Sequence, residues 1–211
     1  MALPELSAPP FDTPLQLAPG DMLQKGWALI KPQIVIIDVV MLVAGVVSWG
    51  LHKVPLAGAA LALVWQVVIG SGLYFYLWRA CRGEPASVGD ILVPIQDKAG
   101  GVIIVTLLNG LAVVIGLVFL IVPGLYLAVA LALALPFVVL TTLSATDALS
   151  LSWKVVNHHL VDFIVLGLVV LAMNLGGALL FGLGLLVTIP VTLGIQMAIL
   201  TQLLQPATPA T

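Results

Sequence analysis

Charge is what this chain has least of: Asp, Glu, Lys and Arg together make up 8% of its 211 residues. A water-soluble domain carries about 25% charged residues to cover its surface, so an ordinary soluble fold is excluded. Seven Lys and Arg against nine Asp and Glu give a formal net charge of −2. That is far from the basic excess needed to neutralise phosphates, and no nucleic-acid partner is expected. A single cysteine, Cys81, excludes an intrachain disulfide and any cysteine-rich metal cage. What the chain does have is apolar surface, with 62% hydrophobic residues and a mean hydropathy of +1.24. Its solvent is lipid.

Residues 1–20 stand apart, with Pro4, Pro9, Pro10, Pro14 and Pro19 spaced among small and polar residues. They read as a disordered or extended tail. No basic segment leads directly into an apolar one there, so a cleaved signal peptide is not expected. Six apolar stretches follow, Gln33–Leu51, Leu56–Trp78, Val102–Val122, Leu125–Leu143, Phe163–Phe181 and Leu185–Leu204. About 20 residues at 1.5 Å each cross a hydrocarbon core of roughly 30 Å, so each stretch predicts one spanning helix. They lack the polar face of a soluble bundle and the alternation of a β-barrel. The fold class is therefore all-α: a six-helix domain over 21–204 with short tails at 1–20 and 205–211.

Short connections pair the helices into three hairpins, through His52-Lys53-Val54-Pro55, Pro123-Gly124 and Gly182-Leu183-Gly184. The longer approaches each begin with a helix-start pattern: Asp21-x-x-Gln24, Ser87-x-x-Asp90 and Ser144-x-x-Asp147. From Ser144 onward Leu149, Trp153, Val156 and Leu160 recur at helical spacing, opposite Asp147, Ser150, Lys154 and Asn157. This predicts an amphipathic helix in the membrane interface, with Trp153 at headgroup depth and Lys154 and His158 near lipid phosphates. Leu23, Trp27 and Ile30 form a shorter stripe, while Ile91, Leu92 and Ile95 form a weaker one interrupted by Pro94. Three units of interfacial helix plus hairpin result, a pseudo-repeat in which Gly26-Trp27 echoes Ser152-Trp153. Lys25, Lys31, Arg79, Arg82, Lys98 and Lys154 fall on the side of the N-terminus, against Lys53 alone on the other. Both termini are expected in the cytoplasm.

Asp38 lies within the first apolar stretch, where a charge costs a few kcal/mol unless paired or hydrated. It is a candidate proton or cation site, or else a carboxyl satisfied near the interface. Gln66, Asn109, Asn174 and Gln196 place amides in four different helices. Such groups line a polar path if they converge, and otherwise bond between helices for about 1 kcal/mol each. No ring of ionisable groups suggests a channel. His158 and His159 are adjacent and so point about 100° apart on a helix, which does not suit a shared metal. Ser71, between Gly70 and Gly72, has no histidine in the later membrane helices to act as its base. Catalytic residues, cofactor and metal are thus expected to be absent.

Several motifs resemble a known group. Pro123-Gly124-Leu125-Tyr126-Leu127, Ala134-Leu135-Pro136-Phe137, Asp147-Ala148-Leu149 with Ser152-Trp153-Lys154, and Gly182-Leu183-Gly184 through Pro190 are similar to a broad superfamily of bacterial six-helix membrane proteins. It includes YciC-like proteins of unknown function and the membrane domain fused to some glycerophosphodiester phosphodiesterases. Gly26-Trp27 and Arg82-Gly83-Glu84 add to the likeness. The resemblance implies a six-helix fold in a bacterial inner membrane and no catalytic residue. The expected function is then a non-enzymatic scaffold that stabilises a membrane assembly or organises lipid, with lipids, other membrane proteins or a second copy as partners. The alternative is a small transporter using Asp38 and the buried amides.

Overall fold

The computed structural model describes residues 6–55, 57–180 and 182–204. Leu56 and Phe181, two expected ends of apolar stretches, and the expected tail 205–211 lie outside the described residues. Among the described residues the chain is helical without a strand: α1 (Pro19–Ile30), α2 (Ile34–Leu51), α3 (Gly58–Cys81), α4 (Val93–Phe119), α5 (Ile121–Ala130), α6 (Ala134–Leu140), α7 (Ala145–His158), α8 (Leu160–Leu179) and α9 (Leu185–Leu204). Six helical runs are long and apolar enough to cross a membrane. The chain is a multi-pass membrane protein.

A continuous path runs from α1 through a 3-10 turn at Lys31–Gln33 into α2, so the first run extends over 33 residues, Pro19–Leu51. A 3-10 turn at Val88–Leu92 likewise leads into α4, which kinks at Lys98 (φ −134°, ψ 34°). The third short helix, α7, meets α8 at a kink at His159. Each unit is therefore a short helical segment, a kink and a long helix, followed by the returning helix of a hairpin.

The packing of these units closes in a ring. α1 lies along α9, the Val88–Leu92 turn against α3, and α7 against α6. Each short segment thus packs on the returning helix of the preceding unit, and the first unit packs on the third. In this way α6 and the second halves of α3 and α9 are covered, whereas α2, α4, α8 and the first half of α3 expose rows of Val, Leu and Ile. Glycine sets how closely the helices approach. A Cβ on Gly194 would sit 2.3 Å from the Gly26 carbonyl oxygen, and a Cβ on Gly116 would sit 2.8 Å from Gly124 Cα. Neither position has room for any larger residue while the helices keep this spacing.

Local details depart from the sequence reading in four places. α1 is capped by Ala18 with Pro19 in its first turn, so Asp21 does not cap; proline fixes the starting φ and needs no N–H there. Pro94 likewise sits in the first turn of α4 and starts the helix instead of interrupting it. The turn between the third and fourth spans falls at Leu120, which is extended, and Pro123-Gly124 lies inside α5. Finally, the fourth span is two helices, α5 and α6, separated by residues 131–133. Pro136 cannot donate to the carbonyl four residues earlier, and restarting the helix at Ala134 places it in a first turn where no donor is needed. The Ser87 and Ser144 starts form as expected: Ser87 and Asp90 make a reciprocal capping box, and Ser144 Oγ accepts from the Asp147 N–H.

Residues 6–18 form no helix and run across one end of the bundle. Leu17 is buried there, the Gln16 N–H donates to Gln202 Oε1 at 2.9 Å, and the Thr13 carbonyl lies 3.1 Å from His159 Nε2.

Candidate functional site

Each polar residue singled out from the sequence has a definite place. Asp38 lies one turn into α2, half-buried, and its Oδ1 has no hydrogen-bond partner. Gln66 is exposed on α3. Asn109 on α4 donates to the Leu131 carbonyl at 3.4 Å, across the break in the fourth span. Asn174 on α8 donates to Thr192 Oγ1 on α9 at 3.0 Å, and Thr192 donates onward to the Thr188 carbonyl at 2.8 Å. Gln196 on α9 accepts a hydrogen bond from the Tyr74 hydroxyl on α3. Asn174 and Gln196 therefore come together on one surface, while Asp38, Gln66 and Asn109 stay elsewhere.

That shared surface is a groove of about 560 Å³ between α5, α8 and α9. Val122 to Leu133 forms one wall, Phe163 to Asn174 the other, and Thr192, Ile195, Gln196 and Ile199 the floor. Its polar side chains are Tyr126, Asn174, Thr192 and Gln196, and the rest of the lining is apolar. Val122, Leu125, Leu168 and Leu171 on the rim are exposed, so the groove opens sideways to the surface that faces lipid. Gly167 lets α8 approach α5 closely beside it, since a Cβ there would meet Val129 Cγ2 at 2.9 Å. The wall from Phe163 to Asn174, continuous helix throughout, is about 16 Å long at 1.5 Å per residue. One leaflet of a roughly 30 Å hydrocarbon core has nearly that depth.

The expected interfacial anchors divide by face. Trp27 and Trp153 are 40% and 41% exposed. The faces that pack on protein are Met22, Gly26 and Ile30 in α1, and Ala145, Ala148, Ser152, Val155 and Val156 in α7, so Ile30 and Val156 of the expected stripes are buried while the tryptophans are not. In both helices a small buried residue thus precedes an exposed tryptophan, which gives the Gly26-Trp27 and Ser152-Trp153 echo a physical meaning. Trp153 packs edge-on against Tyr126 at 5.3 Å, beside the groove, and the Tyr126 hydroxyl donates to Asn157 at 2.8 Å. Lys154 is exposed. His158 is exposed and packs edge-on against Phe11 and His159. Ser71 is fully buried and donates to the Val67 carbonyl within its own helix.

Two arrangements went unread in the sequence. Arg79, 5% exposed, donates to Asp90 Oδ2 at 2.7 Å and reaches Glu84 at 3.4 Å. Gly83 at φ +72° ends α3, with the Glu84 N–H returning to the Arg79 carbonyl and the Gly83 N–H to that of Ala80, so Glu84 is turned back toward both arginines. The second is Ser152, fully buried on α7. Its hydroxyl accepts from the Leu133 N–H at 3.2 Å and donates to the Ala130 carbonyl at 2.8 Å, bridging the two sides of the break between α5 and α6. The available signals were Ser87-x-x-Asp90, which also fixed the arginine's acceptor, and a serine on the apolar side of α7.

Among the described residues no three His, Cys, Asp or Glu side chains gather in a way that would hold a metal. No family model, curated protein or solved structure matches the chain.

Proposed function

We propose that this chain is a non-enzymatic protein of a bacterial inner membrane that organises lipid and, through its helix faces, holds a membrane assembly together. Both termini and the three short helical segments face the cytoplasm in this reading. Its support is the six-to-one distribution of cationic residues. The observation that carries the function is the groove: lined by apolar side chains, open to lipid, and about as long as one leaflet's acyl chain. Bilayer lipid is already apolar, so retention of one chain depends on fit and on polar contacts such as the Gln196 carboxamide.

Leu171→Trp fills the groove from its rim, whereas Leu107→Trp puts the same side chain on an exposed face of α4. After mild extraction, native mass spectrometry should find phospholipid retained by the wild type and by Leu107→Trp. Leu171→Trp should retain at least about fivefold less, on the order of 1 kcal/mol. Equal retention by the two variants would sink the reading. Protein mass spectrometry of the same extract identifies the assembly.

A transporter remains the second reading, favoured by the break in the fourth span and the unpartnered Asp38 Oδ1. It requires Asp38→Asn to abolish substrate or proton flux in proteoliposomes. The scaffold reading predicts flux indistinguishable between the wild type, the variant and empty vesicles.

A further inference from the structure

We infer that two copies of this chain associate in the membrane along the first half of α3, with Gln66 of one copy hydrogen-bonded to Gln66 of the other. The inference rests on the six-span membrane reading and not on the groove, which lies on other helices.

α3 changes character along its length. Every residue from Ser71 to Arg79 is buried, whereas Ala59, Ala60, Leu61, Leu63, Val64 and Gln66 are exposed. Gln66 is eight residues from Gly58 and twelve from Trp78, or about 12 Å and 18 Å along the helix axis. Its carboxamide is therefore near mid-span, too deep for this short side chain to reach headgroups or water, unlike a lysine or arginine near a helix end. Among the described residues no side chain or backbone group bonds to it. An amide without a partner in hydrocarbon costs roughly 2–7 kcal/mol, so a partner from outside the chain is strongly favoured.

The chemistry of the group selects that partner. A carboxamide offers both donor and acceptor, so two related by a two-fold axis each donate one N–H to the other's oxygen in a reciprocal pair. A carboxylate or an ammonium group in a different protein would match only half of it and would bring its own burial cost. Neighbouring positions allow the approach: Ala59, Leu63, Gln66 and Gly70 follow spacings of four, three and four, and so lie on one stripe. A Cβ on Gly70 would meet nothing nearer than Leu135 Cδ2 at 4.0 Å. Gly70 thus lies beside Leu135 of the same chain, and the space for a second helix is over the exposed part of the stripe, Ala59, Leu63 and Gln66.

Disulfide trapping in native membranes tests the proposal, with Cys81→Ala removing the natural thiol. Leu63→Cys, one turn from Gln66 on the stripe, should give an oxidised dimer of twice the chain mass, while Leu107→Cys on α4 should remain monomeric. Adding Gln66→Leu to Leu63→Cys should lower the dimer yield about tenfold, equivalent to 1.4 kcal/mol. Because Gln66→Leu replaces an exposed polar group by an apolar one, the monomer should keep its thermal stability in detergent, which separates lost association from lost folding. Absence of a Leu63→Cys dimer, a crosslink of some other mass, or a dimer indifferent to Gln66→Leu would each overturn the proposal. Lipid retention in the groove is unaffected by any of these outcomes.

Discussion

Asp90→Ala should destabilise the protein by about 3 kcal/mol or more, the largest effect expected from any single side-chain truncation outside the apolar core. The carboxylate it removes accepts from the buried Arg79 guanidinium at 2.7 Å and from the Ser87 N–H at 2.8 Å. Both donors then lose their acceptor at once. Glu84, half-exposed and at 3.4 Å, is a looser counterion for a guanidinium that is 5% exposed. The cost arises mainly from taking the 2.7 Å carboxylate away from a buried guanidinium, and less from the lost attraction itself. Asp90→Asn separates the two, since it can still accept from Ser87 while removing the negative charge. Thermal unfolding in detergent should rank wild type above Asp90→Asn above Asp90→Ala. If Asp90→Ala unfolds with the wild type, the ion pair does not fasten α3 to the start of α4.

Ser152→Ala is expected to cost about 3 kcal/mol, an unusual amount for the loss of one hydroxyl. The reason lies in the fourth span. Where a helix stops at Ala130 and restarts at Ala134, backbone groups lose their i to i−4 partners, and lipid supplies no replacement. Ser152 satisfies a donor on one side and an acceptor on the other, so its removal leaves the Leu133 N–H and the Ala130 carbonyl buried and unpaired. Each such group costs roughly 1–3 kcal/mol. Ser150→Ala removes an equivalent hydroxyl from the exposed face of α7 and should be neutral within about 0.5 kcal/mol. Unfolding of the two variants in parallel checks this. Equal stabilities would mean that the break is held by other contacts, such as the Asn109 bond to Leu131.

The sequence made the six spans legible because hydropathy over some twenty residues is a property of composition, which a lipid-exposed helix cannot disguise. It was less informative about faces. Trp27 and Trp153 drew attention as interfacial anchors and do lie exposed, but the buried contacts beside them are made by Gly26 and Ser152, which the apolar spacing passed over. Small residues weigh little in a hydropathy pattern although they decide where helices touch. The break in the fourth span escaped for a related reason. Pro136 stands close to the break, but the position of the break depends on where Ser152, on a later helix, can bridge it.

The candidate site was legible only in part. Asn174 and Gln196 were singled out as amides, but the groove that joins them also needs Gly167, Thr192 and Tyr126, whose roles depend on the packing of three helices. Tyr74 pins Gln196 from 122 residues away in sequence, a separation that no local pattern reports. Asp38, the most conspicuous residue in the sequence, lies outside the groove.

The central claim, that the protein organises lipid through this groove, is tested most directly by a crystal structure grown from a lipidic phase. The account predicts continuous chain-like density between α5, α8 and α9, about 16 Å long and passing within hydrogen-bond reach of Gln196. Ordered water along the groove, or wall side chains collapsed across it, would contradict the account.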